Sequence, residues 1–166
     1  GRRRELRGEG RGLERAAAMD TSFMAPRFHT MIAYANMGQY ATADSVLRSI
    51  GRRRPRLTAN EALLVDMETA YLRGNYSEAL RMLRRLEALA PEDWVVKYLA
   101  AHMSLWLNRP GEAAAALSFL DEPSEIRGVY SGSWAYGAWA TALHLLGEHE
   151  KELAIVRRAR QAYPDV

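Results

Sequence analysis

Residues 70–79 read AYLRGNYSEA, and residues 34–43 read YANMGQYATA. In both stretches a Gly is followed two residues later by a Tyr and five residues later by an Ala. The same interval leads from Asn108 to Ala113, and a further Gly stands at position 147. The four anchor positions are 36, 34 and 39 residues apart, so the chain contains a repeating unit of about 34 residues.

The residues between the anchors show the period of an α-helix. In the segment 76–89, apolar residues recur at steps of three and four, which is typical of a helix with one buried face. A similar stretch precedes each anchor. Each unit is therefore predicted to be a helix, a short turn and a second helix, and the fold class is all-α. The predicted helix pairs span about 21–54, 57–90, 91–121 and 130–164, after a basic lead and partial repeat helix in residues 1–20.

The residues at the turns agree with this division. A Gly just beyond a helix adopts the left-handed conformation that ends the helix, and Asn108 is the next best residue for that position. The Ala that follows is predicted to lie where two helices approach closely, with the aromatic residue between them filling the space beneath the turn. Thr58 and Glu61 form a capping-box pattern at a helix start. The acids of Pro91-Glu92-Asp93 are predicted to lie in a first helical turn.

These features resemble the tetratricopeptide repeat (TPR) family, whose units are helix pairs of about 34 residues. The third unit keeps Ala113 with Asn108 in place of Gly, and the fourth has Glu152 where the small Ala is expected. The resemblance implies a right-handed superhelical solenoid of antiparallel helix pairs. A non-repeating helical bundle is the alternative, but it would not require equal spacing of its turns. The residues that carry the resemblance are Tyr34, Gly38, Tyr40, Ala43 and Leu47 in the first unit, and Gly74, Tyr76, Ala79, Leu83 and Pro91 in the second.

The resemblance also implies a concave groove, lined by the first helix of each pair, that receives a peptide or partner protein. Tyr98, His102 and Trp106 lie four residues apart and form one stripe along a predicted helix. Packing between units is the alternative for these rings. The family's register places these residues in the groove: Phe28, Ile32, Asn36, Glu68, Tyr71, Tyr98, His102, Trp106, Trp134 and His144, and also Glu61, Leu64, Leu105 and Thr141.

No pattern typical of a catalytic or metal site occurs in the sequence. The chain has no Cys, and its four His form no H-x-x-x-H pair with a neighbouring Glu, so neither a metal nor a cofactor is predicted. G-x-S-x-G does not occur. The acids Glu148 and Glu150 are two residues apart and point to different faces of a helix. We expect no enzymatic activity.

The basic residues are unevenly distributed. Residues 1–56 carry 12 Arg and five acids, and Arg triplets stand at 2–4 and 52–54. One alternative function is therefore Arg-driven nucleic-acid binding. However, 21 of the 23 basic residues are Arg, and such a bias along a whole chain can reflect coding composition as readily as function. Neither triplet is interleaved with the aromatic residues that single-stranded nucleic acids stack on, so a nucleic-acid partner is not expected. A small-molecule-sensing repeat domain of a bacterial regulator is the other alternative.

The sequence therefore predicts a protein–protein interaction module. Because the chain opens at Gly1 rather than Met, its start indicates either a segment of a longer protein or a remnant of tag removal. We expect it to be part of a larger regulatory or assembly protein. No apolar run is long enough for a membrane-spanning helix, so we expect no membrane partner. The expected location is the cytoplasm. The sequence leaves the identity of the partner and the oligomeric state open.

Overall fold

A computed structural model describes residues 25–121 and 132–164. The predicted basic lead, residues 1–20, lies outside the described residues. Within the described ranges all regular structure is helical, with two short 3-10 helices at Arg54–Arg56 and Ser118–Asp121. The α-helices are α1 (Ala25–Asn36), α2 (Tyr40–Gly51), α3 (Ala59–Leu72), α4 (Tyr76–Leu89), α5 (Trp94–Trp106), α6 (Pro110–Leu117), α7 (Gly132–Leu145) and α8 (His149–Ala162).

The chain divides into two compact units, Gly1–Asn75 and Tyr76–Val166. In the first unit, α1 packs against α2 and α2 packs against α3. In the second unit each of the helices α4 to α8 packs against the next, and α5 also contacts α7. The boundary between the units falls inside the predicted range 57–90, between α3 and α4.

The anchor residues have the predicted left-handed backbone. Gly38, Gly74 and Gly147 have φ angles of 74°, 72° and 74°, and Asn108 has a φ of 56°. At each turn the residue after the anchor donates its N–H to the carbonyl five residues earlier, as Arg109 does to Ser104 at 2.8 Å. This bond is characteristic of a helix that ends in a Schellman motif. The prediction of four helix-ending turns is therefore confirmed.

The small residues after the turns are buried as predicted, but the aromatic residue of the first repeat is not. Ala43, Ala79 and Ala113 are fully buried, in agreement with a close approach that leaves no room for a larger side chain. Tyr40 is 59% exposed, so the prediction that it fills the space beneath its turn is wrong. In the fourth repeat Glu152 takes the place of Ala and is partly exposed.

Side-chain caps set two of the helix starts. Thr58 and Glu61 form the predicted capping box at the start of α3, with both reciprocal hydrogen bonds present. Asp93 accepts hydrogen bonds from the N–H groups of Val95 and Val96, so it caps α5 from outside the helix. The prediction that the acids after Pro91 lie in a first helical turn is therefore wrong, because the helix begins only at Trp94.

Each unit has its own hydrophobic core, which positions the partly exposed helix faces described below. In the first unit the buried side chains include Phe28, Met31, Leu47, Ile50 and Val65. In the second they include Leu117, Leu120, Tyr136, Trp139 and Ile155. Burying a side chain of this size stabilises a fold by about 1.5 to 3 kcal/mol.

Candidate functional site

A row of four rings lies on the surface of the second unit. Tyr98 and His102 of α5 are 4.8 Å apart between ring centroids, and His102 is 5.8 Å from Trp106 in an edge-to-face arrangement. Tyr76 of α4 extends the row, with its centroid 4.7 Å from that of Trp106. These separations lie in the favourable range for aromatic pairs. The structure thus brings together the three residues of the predicted stripe and adds Tyr76, which the sequence prediction of the groove missed.

The row is only partly withdrawn from solvent. Trp106 is 46% exposed, whereas Tyr98, His102 and Tyr76 are half-buried. Tyr98 also packs against the core of the second unit. The two interpretations of the stripe therefore apply to different members, since Tyr98 has a packing role and Trp106 presents its ring to solvent.

The surroundings of His102 favour the neutral form of its imidazole. Partial burial lowers its pKa from the ordinary value of 6.5, because an apolar environment disfavours the charged form. A neutral imidazole has one N–H donor and one nitrogen acceptor. The row consequently combines large apolar rings with polar atoms that can bind a peptide backbone.

The other predicted groove residues of the second unit lie apart from each other. Trp134 is exposed in the first turn of α7, and His144 is exposed in its last turn. Ten residues of helix separate them, which corresponds to about 15 Å along the helix axis. Thr141 is exposed as well, whereas Leu105 is partly buried against the core.

In the first unit the predicted groove residues of α1 differ in exposure. Phe28 is only 6% exposed and lies in the core, so it does not present its ring to solvent in this structure. Ile32 and Asn36 are exposed.

The predicted groove residues of α3 are more buried. Glu68 is 6% exposed, and this burial raises the pKa of its carboxyl group to about 7. Tyr71 is half-buried, and Leu64 packs against the core. Glu61 is engaged in the capping box with Thr58.

A cluster that the sequence search missed lies at the turn between α7 and α8. His144, His149 and Glu152 place their ligand-type atoms within 4.8 Å of one another. The search for H-x-x-x-H within one helix could not find it, because the two His belong to different helices. The signal available in the sequence was the departure of Glu152 from the expected Ala.

Between α7 and α8 there is also a small cavity of about 180 Å³, lined mainly by apolar groups that include Tyr136, Val156 and Tyr163. Its volume is below the range of about 300 to 1,000 Å³ that is usual for small-molecule sites.

The comparisons with known proteins place the fold. No protein-family model matches the chain, and no curated protein matches it. Among solved structures, MamA 41-end from Desulfovibrio magneticus RS-1 is similar at 20% identity and a TM-score of 0.59, over 98% of this chain and 88% of that one. The chain has a TPR-like helical-repeat fold. A MamA RS-1 double mutant matches at 20% identity and 0.58 over 98% and 88% of the two chains, and MamA AMB-1 at 18% and 0.58 over 93% and 87%.

In the part of the chain that the structure describes, none of the helices combines the length and the apolar character that crossing a bilayer requires.

Proposed function

We propose that this chain is a member of the TPR family and a protein-interaction module, in which the row formed by Tyr98, His102, Trp106 and Tyr76 anchors a peptide segment of a partner protein. The single observation that carries the proposal is the contact row itself, with Trp106 46% exposed at a position where its ring is held by Tyr76 and His102. The proposed role is non-catalytic.

The physical reason is that binding energy concentrates on a few aromatic side chains that are already held in place. Trp and Tyr are enriched at the energetic centres of interfaces, because each buries a large area while losing little conformational entropy. Ring contacts on two sides of Trp106 restrict its rotamers before the ligand arrives, which reduces the entropic cost of association.

Two observations favour this function over the alternatives. Arg54, in the second Arg triplet, forms a two-pronged ion pair with Asp66 at 2.7 and 2.8 Å, so its charge is already balanced within the protein. The cavity described between α7 and α8 does not support the small-molecule alternative, because its volume of about 180 Å³ is small for a metabolite. A peptide on an exposed aromatic row requires neither a free Arg cluster nor an enclosed pocket.

A peptide library provides the test. We would pan a phage-displayed library of random peptides against the whole chain and measure the affinity of the recovered peptide by fluorescence polarisation. Trp106→Ala should weaken binding by about 2 kcal/mol, or roughly 30-fold. Tyr40→Ala is the matched control, because Tyr40 is also an exposed aromatic residue but lies outside the row. Equal losses in both variants would contradict the proposal.

Two further measurements separate the alternatives. The unfolding midpoint of Trp106→Ala should stay close to that of the wild type, since almost half of the side chain is already exposed. A loss of about 3 kcal/mol or more in stability would instead identify Trp106 as a core residue. The affinity of the peptide should change little between 50 and 200 mM salt, whereas binding through phosphates weakens by about 10³-fold or more over that range when many contacts are made.

A further inference from the structure

Three side chains with metal-binding atoms lie together at the turn that connects α7 and α8. His144 lies in the final turn of α7, His149 is the first residue of α8, and Glu152 lies one turn further along α8. His144 Nδ1 is 3.0 and 3.2 Å from the two carboxylate oxygens of Glu152, and His149 Nδ1 is 3.2 Å from one of them. The two imidazole rings are 5.3 Å apart between centroids.

Among the four sequence repeats, only the fourth has this combination of residues at these positions. The three positions lie three residues before, two residues after and five residues after the anchor Gly147. None of the corresponding positions in the other three repeats carries a His or an acid. Those positions are occupied by Ala35, Tyr40 and Ala43 in the first repeat, Tyr71, Tyr76 and Ala79 in the second, and Leu105, Pro110 and Ala113 in the third.

A buried Ala would suffice at position 152 if the turn required only close packing, as Ala113 shows in the third repeat. The fourth repeat instead has a carboxylate there, with an imidazole from each of the two helices beside it. The side chains of both His are exposed, so a dissolved ion can reach the cluster without any opening of the fold.

We propose that His144, His149 and Glu152 form a binding site for a divalent transition-metal ion of the Zn²⁺ type. Two imidazole nitrogens and one carboxylate oxygen are a ligand set that Zn²⁺ accepts, and they leave a fourth position for water or for a donor from another molecule. With bonds of about 2.0 to 2.1 Å, the ligand atoms of a tetrahedral site are about 3.4 Å apart. The nitrogen-to-oxygen distances of 3.0 to 3.2 Å are only slightly shorter.

A neutral imidazole has two tautomers, and one of them leaves Nδ1 free to bind an ion. When Nδ1–H donates a hydrogen bond to Glu152, Nδ1 carries the proton of the neutral ring. With the proton on Nε2, each Nδ1 presents its lone pair to the ion, and the carboxylate remains an anionic ligand. The ion would then join the end of α7 to the start of α8 across the turn at Gly147, and it would stabilise this helix pair against unfolding because the unfolded chain lacks the assembled site.

The test is titration of the chelator-treated full chain with ZnCl₂ in an isothermal calorimeter. We expect one Zn²⁺ per chain and a higher melting temperature in its presence. His144→Ala, His149→Ala and Glu152→Gln should each weaken binding by at least about tenfold, because loss of a partner that only orients a ligand already costs that much. The matched controls are His29→Ala, an exposed His of α1, and Glu150→Gln, an exposed acid in the same turn as Glu152. Both controls should bind like the wild type.

Nuclear magnetic resonance of the ¹⁵N-labelled imidazoles gives a second measurement that does not depend on the variants. Zinc should shift the Nδ1 resonances of His144 and His149 and leave those of His29 unchanged. Absence of saturable binding, equal affinity of the wild type and the His144→Ala/His149→Ala double variant, or one zinc per two chains would each overturn the intrachain site.

Discussion

Glu68 lies on α3 and is almost fully buried, and its carboxyl group provides a sharp test of the structure. Burial raises its pKa from 4.5 to about 7, because the ionised form loses hydration when it is withdrawn from water. In the unfolded chain the same carboxyl group ionises near pH 4.5. The native state therefore holds a proton between these two pH values that the unfolded state has released.

The sign of the effect follows from this difference in bound protons. Below about pH 4.5 Glu68 is protonated in both states and its contribution to stability is fully present. As the pH rises from 4.5 through 7, the free energy of unfolding falls, and above 7 the loss is complete. At about 1.4 kcal/mol per pH unit, the shift corresponds to a loss of about 3 kcal/mol.

Glu68→Gln should remove this loss, because an amide stays neutral over the whole range and has nearly the same shape. We expect the variant and the wild type to have similar stability near pH 4.5, and the variant to be more stable by up to about 3 kcal/mol at pH 8. The assay is urea denaturation at half-unit intervals between pH 4.5 and 8.5. Lowering of the pKa of His102 produces a pH dependence of opposite sign, but it is present in both proteins and cancels in their difference.

The matched control is Glu92→Gln, which changes an exposed acid in the segment before α5. Its stability should follow that of the wild type at every pH. If the profiles of Glu68→Gln and the wild type ran parallel from pH 4.5 to 8.5, the carboxyl group would not be desolvated in the native protein, and the argument from burial would fail.

Three further predictions concern the repeat turns and caps, and denaturant unfolding measures each of them. Gly74→Ala should lower the free energy of unfolding by about 1 kcal/mol, because a Cβ there meets no neighbour but disfavours the left-handed φ. Gly74→Asn should lower it less, since the native Asn108 has the same left-handed backbone, and equal losses would contradict this. Ala113→Leu should overpack the turn between α5 and α6 at about 1 to 3 kcal/mol, whereas the exposed Ala115→Leu should change stability by less than about 0.5 kcal/mol. Thr58→Ala should cost about 1 kcal/mol, and Thr58→Ser should retain most of the cap.

The features that the sequence alone determined are those with a local physical cause. A left-handed turn residue is visible as Gly or Asn because few other side chains tolerate that backbone, and a helix face is visible because its apolar residues recur with the helical period. These rules placed the turns at Gly38, Gly74, Asn108 and Gly147 and indicated helices on both sides of them. The start of α5 was misplaced because the side chain of Asp93 caps the helix instead of entering it.

The candidate sites depend on neighbours that are distant in the sequence, and only the tertiary structure identified them. The spacing of Tyr98, His102 and Trp106 put them on one helix face, but their exposure depends on what packs beside α5, and Tyr76 joined the row from another helix. Phe28 shared the spacing of an exposed stripe and was buried in a core instead. Helical periodicity states which residues share a face, whereas desolvation and contact across helices depend on the packing of whole elements.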